Sequence, residues 1–68
     1  MKAISGKRMC RVLERQGWEL VRINGSHHIF EKPGHPDVVV VPVHANRDLK
    51  SGTQRGIMKD AELDESDL

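Results

Sequence analysis

The sequence predicts an α+β fold in which two helices cover one face of a three-stranded antiparallel sheet, in the order helix, strand, strand, strand, helix. Three observations carry this expectation. A capped stretch with helical spacing opens the chain. Turn signals at Asn24-Gly25 and through residues 33–37 divide the middle into three short runs suited to strands. A second stretch with helical spacing then begins at Lys50 or Ser51 and reaches about Asp60.

The first helix is expected over residues 6–16. Ser5 is placed to cap it, because a serine hydroxyl accepts from an orphan amide of the first turn. Ile4 before the cap and Met9 five residues on are spaced for a hydrophobic staple. Met9, Val12 and Leu13 form the apolar stripe, with Cys10 on its flank as a small buried hydrophobe, while Lys7, Arg8, Arg11 and Arg15 decorate the remainder. Gly17 fits the left-handed position after the last turn, and Trp18 can fold back on that turn.

Residues 18–23 read as the first strand, with an imperfect alternation that a bulge or a partly covered second face explains. Asn24-Gly25 turns the chain, residues 26–32 form the second strand, and Val38–Val41 form the third, closed by Pro42. Four consecutive valines ask for cover on both faces. In a simple meander this strand lies on an edge, which makes it a site for a protein partner unless the chain's own helices cover it. On the second helix, Thr53, Ile57, Asp60 and Ala61 mark the inward face, with Leu49 and Met58 adjacent. Gly56 in its middle suggests close packing on the sheet, and one further turn is expected around Leu63.

Sixty-eight residues make a single domain, 1–68, with room for one small core. No apolar segment approaches the length of a membrane span, the N-terminus lacks the apolar region of a signal peptide, and a single cysteine excludes an internal disulfide. A cytoplasmic location is expected. The net charge of +1 conceals a division. Residues 1–59 hold all eleven lysines and arginines against five acids, leaving six positive charges, whereas residues 60–68 hold five acids and no base. A basic body with an acidic tail suits a polyanionic ligand or an acidic partner protein.

Several segments together resemble the HicA-type toxins of bacterial toxin–antitoxin systems. They are Ser5-Gly6 before the first helix, Leu13 through Gly17-Trp18, Arg22 through Gly25-Ser26-His27, Val41-Pro42 with His44 two residues on, and Leu49 through Gly52-Thr53 to Ile57. The resemblance covers nearly the whole chain. It implies a fold like the double-stranded-RNA-binding domain, which has this element order. It also implies messenger-RNA cleavage and neutralisation by a HicB-like antitoxin. The family's catalytic histidine directly follows Gly-Ser or Gly-Gly, and that position here is His27; His28 falls where the family varies. The family often has a glycine after the second helix, where this chain has Glu62, which puts the geometry of the tail in question.

The chemistry asks for little equipment. RNA brings its own nucleophile, the 2′-hydroxyl, and an imidazole can move protons near neutral pH. His27 is therefore the candidate general acid or base, with His44 as the second candidate. Arg22, Arg47 and Lys50 are candidate phosphate contacts, and the turn amides around Gly25 and Ser26 are placed to donate to phosphate. The plainer reading of His27 is a turn histidine that only hydrogen-bonds. His35, between Gly34 and Pro36, is expected to be exposed and without a role. The four histidines and Cys10 lack the paired spacing of a zinc site, so no metal or other cofactor is expected. Trp18 and Phe30 look like core, which disfavours a stacking platform for bases.

Strand parity leaves one question. His27, Ile29 and Glu31 share one face; Ser26, His28 and Phe30 share the other. The expectation adopted is that Ile29 is core and His27 stands at the rim beside the first helix. The leading reading is an endoribonuclease toxin whose partners are RNA and an antitoxin. A non-catalytic RNA-binding module or a protein-interaction domain of the same fold is the alternative.

Overall fold

The computed structural model describes all 68 residues. Its elements are α1 (Gly6–Arg15), β1 (Glu19–Asn24), β2 (His27–Glu31), β3 (Val39–Pro42), α2 (Ser51–Asp60) and a short 3-10 turn at Glu65–Asp67. The sheet is antiparallel in the order β1-β2-β3. The expected class, element order and meander are all observed, with ends shifted by a residue.

Local chemistry accounts for α1. The Ser5 hydroxyl accepts from the Arg8 amide at 3.1 Å. At the other end Gly17 takes φ +93°, and the amides of Gly17 and Trp18 donate to the carbonyls of Glu14 and Leu13 at 3.1 and 3.0 Å. This closes the last turn with two otherwise orphaned carbonyls satisfied. Ile4, Met9, Val12, Leu13 and Trp18 all join the core cluster.

Gly6 has a steric reason. A Cβ built there would overlap the Pro42 carbonyl oxygen and lie 3.1 Å from Val43 Cα. The first turn of α1 is thus seated directly on the backbone that leaves β3. The segment before it is tied down as well: Ser5 bridges Asp48, and the Leu49 amide donates to the Ile4 carbonyl at 2.8 Å.

The sheet register decides the parity question against the expectation. Phe30 is 1% exposed, and its β3 partner Val39 is buried with it; Ile29 is half-buried and pairs with the exposed Val40. Cross-strand partners share a face. The helix side therefore holds Phe30, Val39, Val41 and His28, and the other side holds His27, Ile29 and Val40. The physical reason is coverage: both helices pack on β3 from one side, and the longer Phe30 fills the space beneath them. Val38 and Val40 remain exposed, so only one face of β3 is covered by the chain's own helices. The expected irregularity in β1 is a bulge between Leu20 and Arg22.

The buried face of α2 also differs from the expected one. Gln54, Ile57, Met58 and Ala61 face inward, while Thr53 and Asp60 are exposed. Gln54, 1% exposed, is the unforeseen member. Its Oε1 accepts from the Ile4 amide at 3.0 Å and its Nε2 donates to the Lys2 carbonyl at 2.7 Å. One side chain thereby satisfies two backbone groups of the N-terminal segment.

Gly56 does not serve close packing: a Cβ there would meet nothing within 4 Å. An interior helical glycine without a packing role costs about 0.5–1 kcal/mol relative to alanine. Gly56→Ala is expected to stabilise the fold by about that amount, raising the thermal midpoint by about 4–8 °C per kcal/mol. A midpoint that stays or falls would show that this helix carries a constraint its packing does not reveal.

The acidic tail folds back on the body. Glu62 takes φ +58°, and the Leu63 amide donates to the Met58 carbonyl at 2.8 Å, so a glutamate occupies the left-handed closing position of α2. The further turn comes at Glu65–Asp67, after Leu63. Arg8 donates to the Leu68 carbonyl at 2.9 Å, Gln16 to Asp67 at 3.3 Å, and the N-terminal ammonium lies 3.4 Å from Glu65. The hydroxyl and amide of Ser66 both donate to Asp64 and hold its carboxyl below the usual carboxylate range.

His35 has the structural role that the sequence reading denied it. Its ring packs on Trp18 at 4.9 Å between centroids, and its Nε2 lies 3.5 Å from the Glu62 carboxylate. No helix is long and apolar enough to cross a membrane.

Candidate active site on the open face of the sheet

The turn between β1 and β2 is a two-residue loop, Gly25-Ser26, closed by the Asn24–His27 pair. The loop thus lies one residue later than the expected Asn24-Gly25. Gly25 alone in it has positive φ, +62°, as a type II′ hairpin requires of its first position. That conformation strains any L side chain. The turn sets the register, and the register makes His27 the first residue of β2, facing away from both helices.

His27 is exposed and makes no side-chain hydrogen bond. Its flanking partners are Asn24 on β1 and Pro42 on β3. Arg22 pairs with Ile29, two rungs further along, on the same face. Ser26 accepts the Val43 amide at 2.8 Å, which ties the hairpin loop to the segment leaving β3.

Beyond Pro42 the chain turns tightly. Arg47 donates its amide to the His44 carbonyl at 3.0 Å, and Ala45 between them takes φ +49°. His44, Arg47 and Lys50 then line an open cleft of about 300 Å³ together with Pro42, Asp48 and Thr53. Lys50 sits at the N-cap of α2 without a side-chain cap, and no acid occupies the first turn. Arg22, Arg47 and Lys50 take no part in the chain's ion pairs. The fold therefore gathers His27, His44, Arg47 and Lys50 around the end of the sheet near Pro42, with Arg22 two rungs along. It forms no hydrogen bond between His27 and His44.

A larger groove, about 400 Å³, lies at the opposite end of the strands between Glu19, Glu31, Lys32, His35 and Asp37. Three carboxylates make it a poor seat for phosphate. Cations at one end of the sheet and carboxylates at the other give the open face a direction.

His28 is separated from His27 by the pleat. Its Nδ1 lies 3.9 Å from Cys10 Sγ on the helix side. Cys10 is half-buried. Burial, reinforced by the nearby Glu14 carboxylate, pushes its thiol up to about 11. The thiol is thus protonated at neutral pH. Cys10 is expected to react with alkylating reagents at pH 8 more slowly than a free thiol does. The unfolded chain releases this proton near pH 9 and the folded chain near pH 11. This group's contribution to stability is therefore full below pH 9 and fades as the pH rises through 11. Urea midpoints of wild type and Cys10→Ala across that range read the effect.

Sequence reasoning missed Asp48 and Thr53 as members of the cleft. Thr53 shares helical spacing with Ile57, which suggested burial, and Asp48 carries no local motif. The hairpin register alone would have pointed to Pro42 as the neighbour of His27.

The chain with this α-β-β-β-α order matches a class of small bacterial toxins. The sequence model of that class, described as the HicA toxin of bacterial toxin–antitoxin systems, matches residues 6–63, and the chain belongs to this family. The match spans every element from α1 to the end of α2. No individual curated protein matches the chain. Family membership makes the protein the toxin component of a toxin–antitoxin pair, and so implies an antitoxin partner.

Proposed function

We propose that the protein is an endoribonuclease, a messenger-RNA interferase, that cleaves RNA without a metal and uses His27 as its general acid or base. The observation that carries this reading is the placement of His27: exposed, free of other bonds, on the face of the sheet away from the helices, near cations that form no ion pair within the chain. The 2′-oxygen of RNA attacks the adjacent phosphorus as its proton leaves. The bond from phosphorus to the 5′-oxygen breaks, and that oxygen takes up a proton. An imidazole at His27 serves one of these transfers, and His44, on the same end of the sheet, is the candidate for the other. Arg22, Arg47 and Lys50 offset the charge of the phosphorane, and the amides of Gly25 and Ser26 are available to phosphate oxygens.

A HicB-like antitoxin neutralises such an enzyme sterically, by covering the histidine turn. The exposed Val38 and Val40 and the half-buried Ile29 offer it apolar area on the same face. RNA and antitoxin then compete for one surface, and the site of action is the cytoplasm, where messenger RNA is translated.

Purified protein incubated with RNA and a chelator tests the reading. Cleavage that persists in the chelator and is lost in His27→Ala is the expected outcome. Binding without cleavage would leave a non-catalytic RNA-binding module of the same fold.

A further inference from the structure

The cleft beside Pro42 has one feature that phosphate binding does not explain. Among its cations stands Asp48, a carboxylate with no ion-pair partner within 4 Å and no side-chain hydrogen bond. A carboxylate repels phosphate and accepts hydrogen bonds from N–H groups. Pro42 forms one wall of the cleft and is also the cross-strand partner of His27. Adjacent strands lie about 5 Å apart, so a nucleotide next to a phosphate held at His27 falls within reach of the cleft. A volume of about 300 Å³ suits one nucleotide and little more.

We propose that this cleft holds the nucleotide adjoining the cleaved phosphate, and that Asp48 makes it select a base with an exocyclic amino group over uracil. The inference rests on the nuclease reading and adds a subsite to it. Arg47 and Lys50 take the phosphate, Thr53 and Pro42 flank the nucleoside, and the Asp48 carboxylate accepts from the amino group. Cytosine presents N4–H₂ where uracil presents the O4 carbonyl, which faces a carboxylate with like charge. The two bases are otherwise alike in size, so their comparison isolates this one group.

The experiment titrates the isotopically labelled protein with cytidine and uridine 3′-monophosphates, following amide shifts by NMR. Shifts at Asp48, Lys50 and Thr53, with cytidine monophosphate bound about tenfold more tightly, are expected from one such contact. In Asp48→Asn, an amide that donates or accepts, the two affinities are expected to converge. Equal affinities in the wild type, or a preference that survives in Asp48→Asn, would overturn the proposal, as would shifts confined to another surface. Because this binding needs no cleavage, the result stands apart from the nuclease reading. Cleavage of mixed-sequence RNA without discrimination against uracil next to the cut would overturn the subsite while leaving the nuclease intact.

Discussion

Replacing His27 with alanine is expected to lower the rate of RNA cleavage by at least about a hundredfold, the lower end of what a positioned acid–base group supplies. The fold is expected to survive. His27 is exposed, contributes no side-chain hydrogen bond, and keeps its backbone pairing to Asn24 and Pro42 in the variant. Its stability change is expected to stay within about 0.5 kcal/mol, as for surface positions generally. Thermal melts and single-turnover rates on the same preparation separate the two effects. His28→Ala gives the informative contrast. It removes a half-buried ring beside Cys10 on the helix side, so stability is expected to fall while cleavage persists. A His27→Ala protein that melts normally and cleaves at the wild-type rate would end the catalytic assignment.

The largest expected effect on stability comes from Gly6→Ala. Alanine at the first helical position is ordinarily favourable, by up to about 1 kcal/mol over glycine. Here the added methyl would overlap the Pro42 carbonyl oxygen and press on Val43 Cα at 3.1 Å. Backbone is on the receiving side, so no side-chain rotation relieves the overlap. Overpacking of this kind costs about 1–3 kcal/mol, enough to exceed the gain in helix propensity. Either α1 shifts outward or the end of β3 does, and both movements disturb the seat of His27 opposite Pro42. Gly6→Ala is therefore expected to lower the melting temperature and to reduce cleavage along with it. Gly56→Ala, with open space around its Cβ, is expected to move stability the other way. If both substitutions stabilised the protein, the close seating of α1 on β3 would be wrong.

These contrasts show where the residues speak for themselves and where they do not. Ser5, the Met9-Val12-Leu13 stripe and Gly17-Trp18 specify α1 through local caps and spacing, and the turn chemistry at Gly25 and through 33–37 specifies three strands. Local signals of this kind need no knowledge of the remainder of the chain. The face presenting His27 is different. Both parities of His27-His28-Ile29-Phe30 contain a histidine and a large apolar residue, so the pattern is symmetric within the strand. Packing resolves it, because the helices reach β3 from one side and close over Phe30, Val39 and Val41. Gln54 escaped for a related reason. Its burial follows from the N-terminal segment, whose Lys2 carbonyl and Ile4 amide lie about fifty residues away in sequence and require a partner. His35 likewise looks like a loop residue until the fold brings Trp18 and Glu62 beside it.

The cationic end of the sheet was partly legible. Arg22, Arg47 and Lys50 were foreseen from their neighbourhood to the histidines; the fold puts Arg22 on the face of His27 and brings Arg47 and Lys50 to the strand end at Pro42, the partner of His27. The cleft that joins Asp48 and Thr53 to them was not, because it forms only when the connector turns at Ala45 and α2 begins beside Pro42. The basic residues of α1 take another part. Arg8 is bound to the Leu68 carbonyl, and the acidic tail lies along that helix. The tail thus places carboxylates on the helix side and leaves the opposite face as the one open to a polyanion.

The most direct measurement compares two oligonucleotides of one sequence, one RNA and one with every 2′-hydroxyl replaced by hydrogen, incubated with wild-type protein in excess chelator. If the substrate supplies the nucleophile and His27 moves the proton, the RNA is cut and the deoxy strand remains intact. Cleavage of the deoxy strand, or loss of RNA cleavage in the chelator, would contradict metal-independent attack by the 2′-hydroxyl at this site.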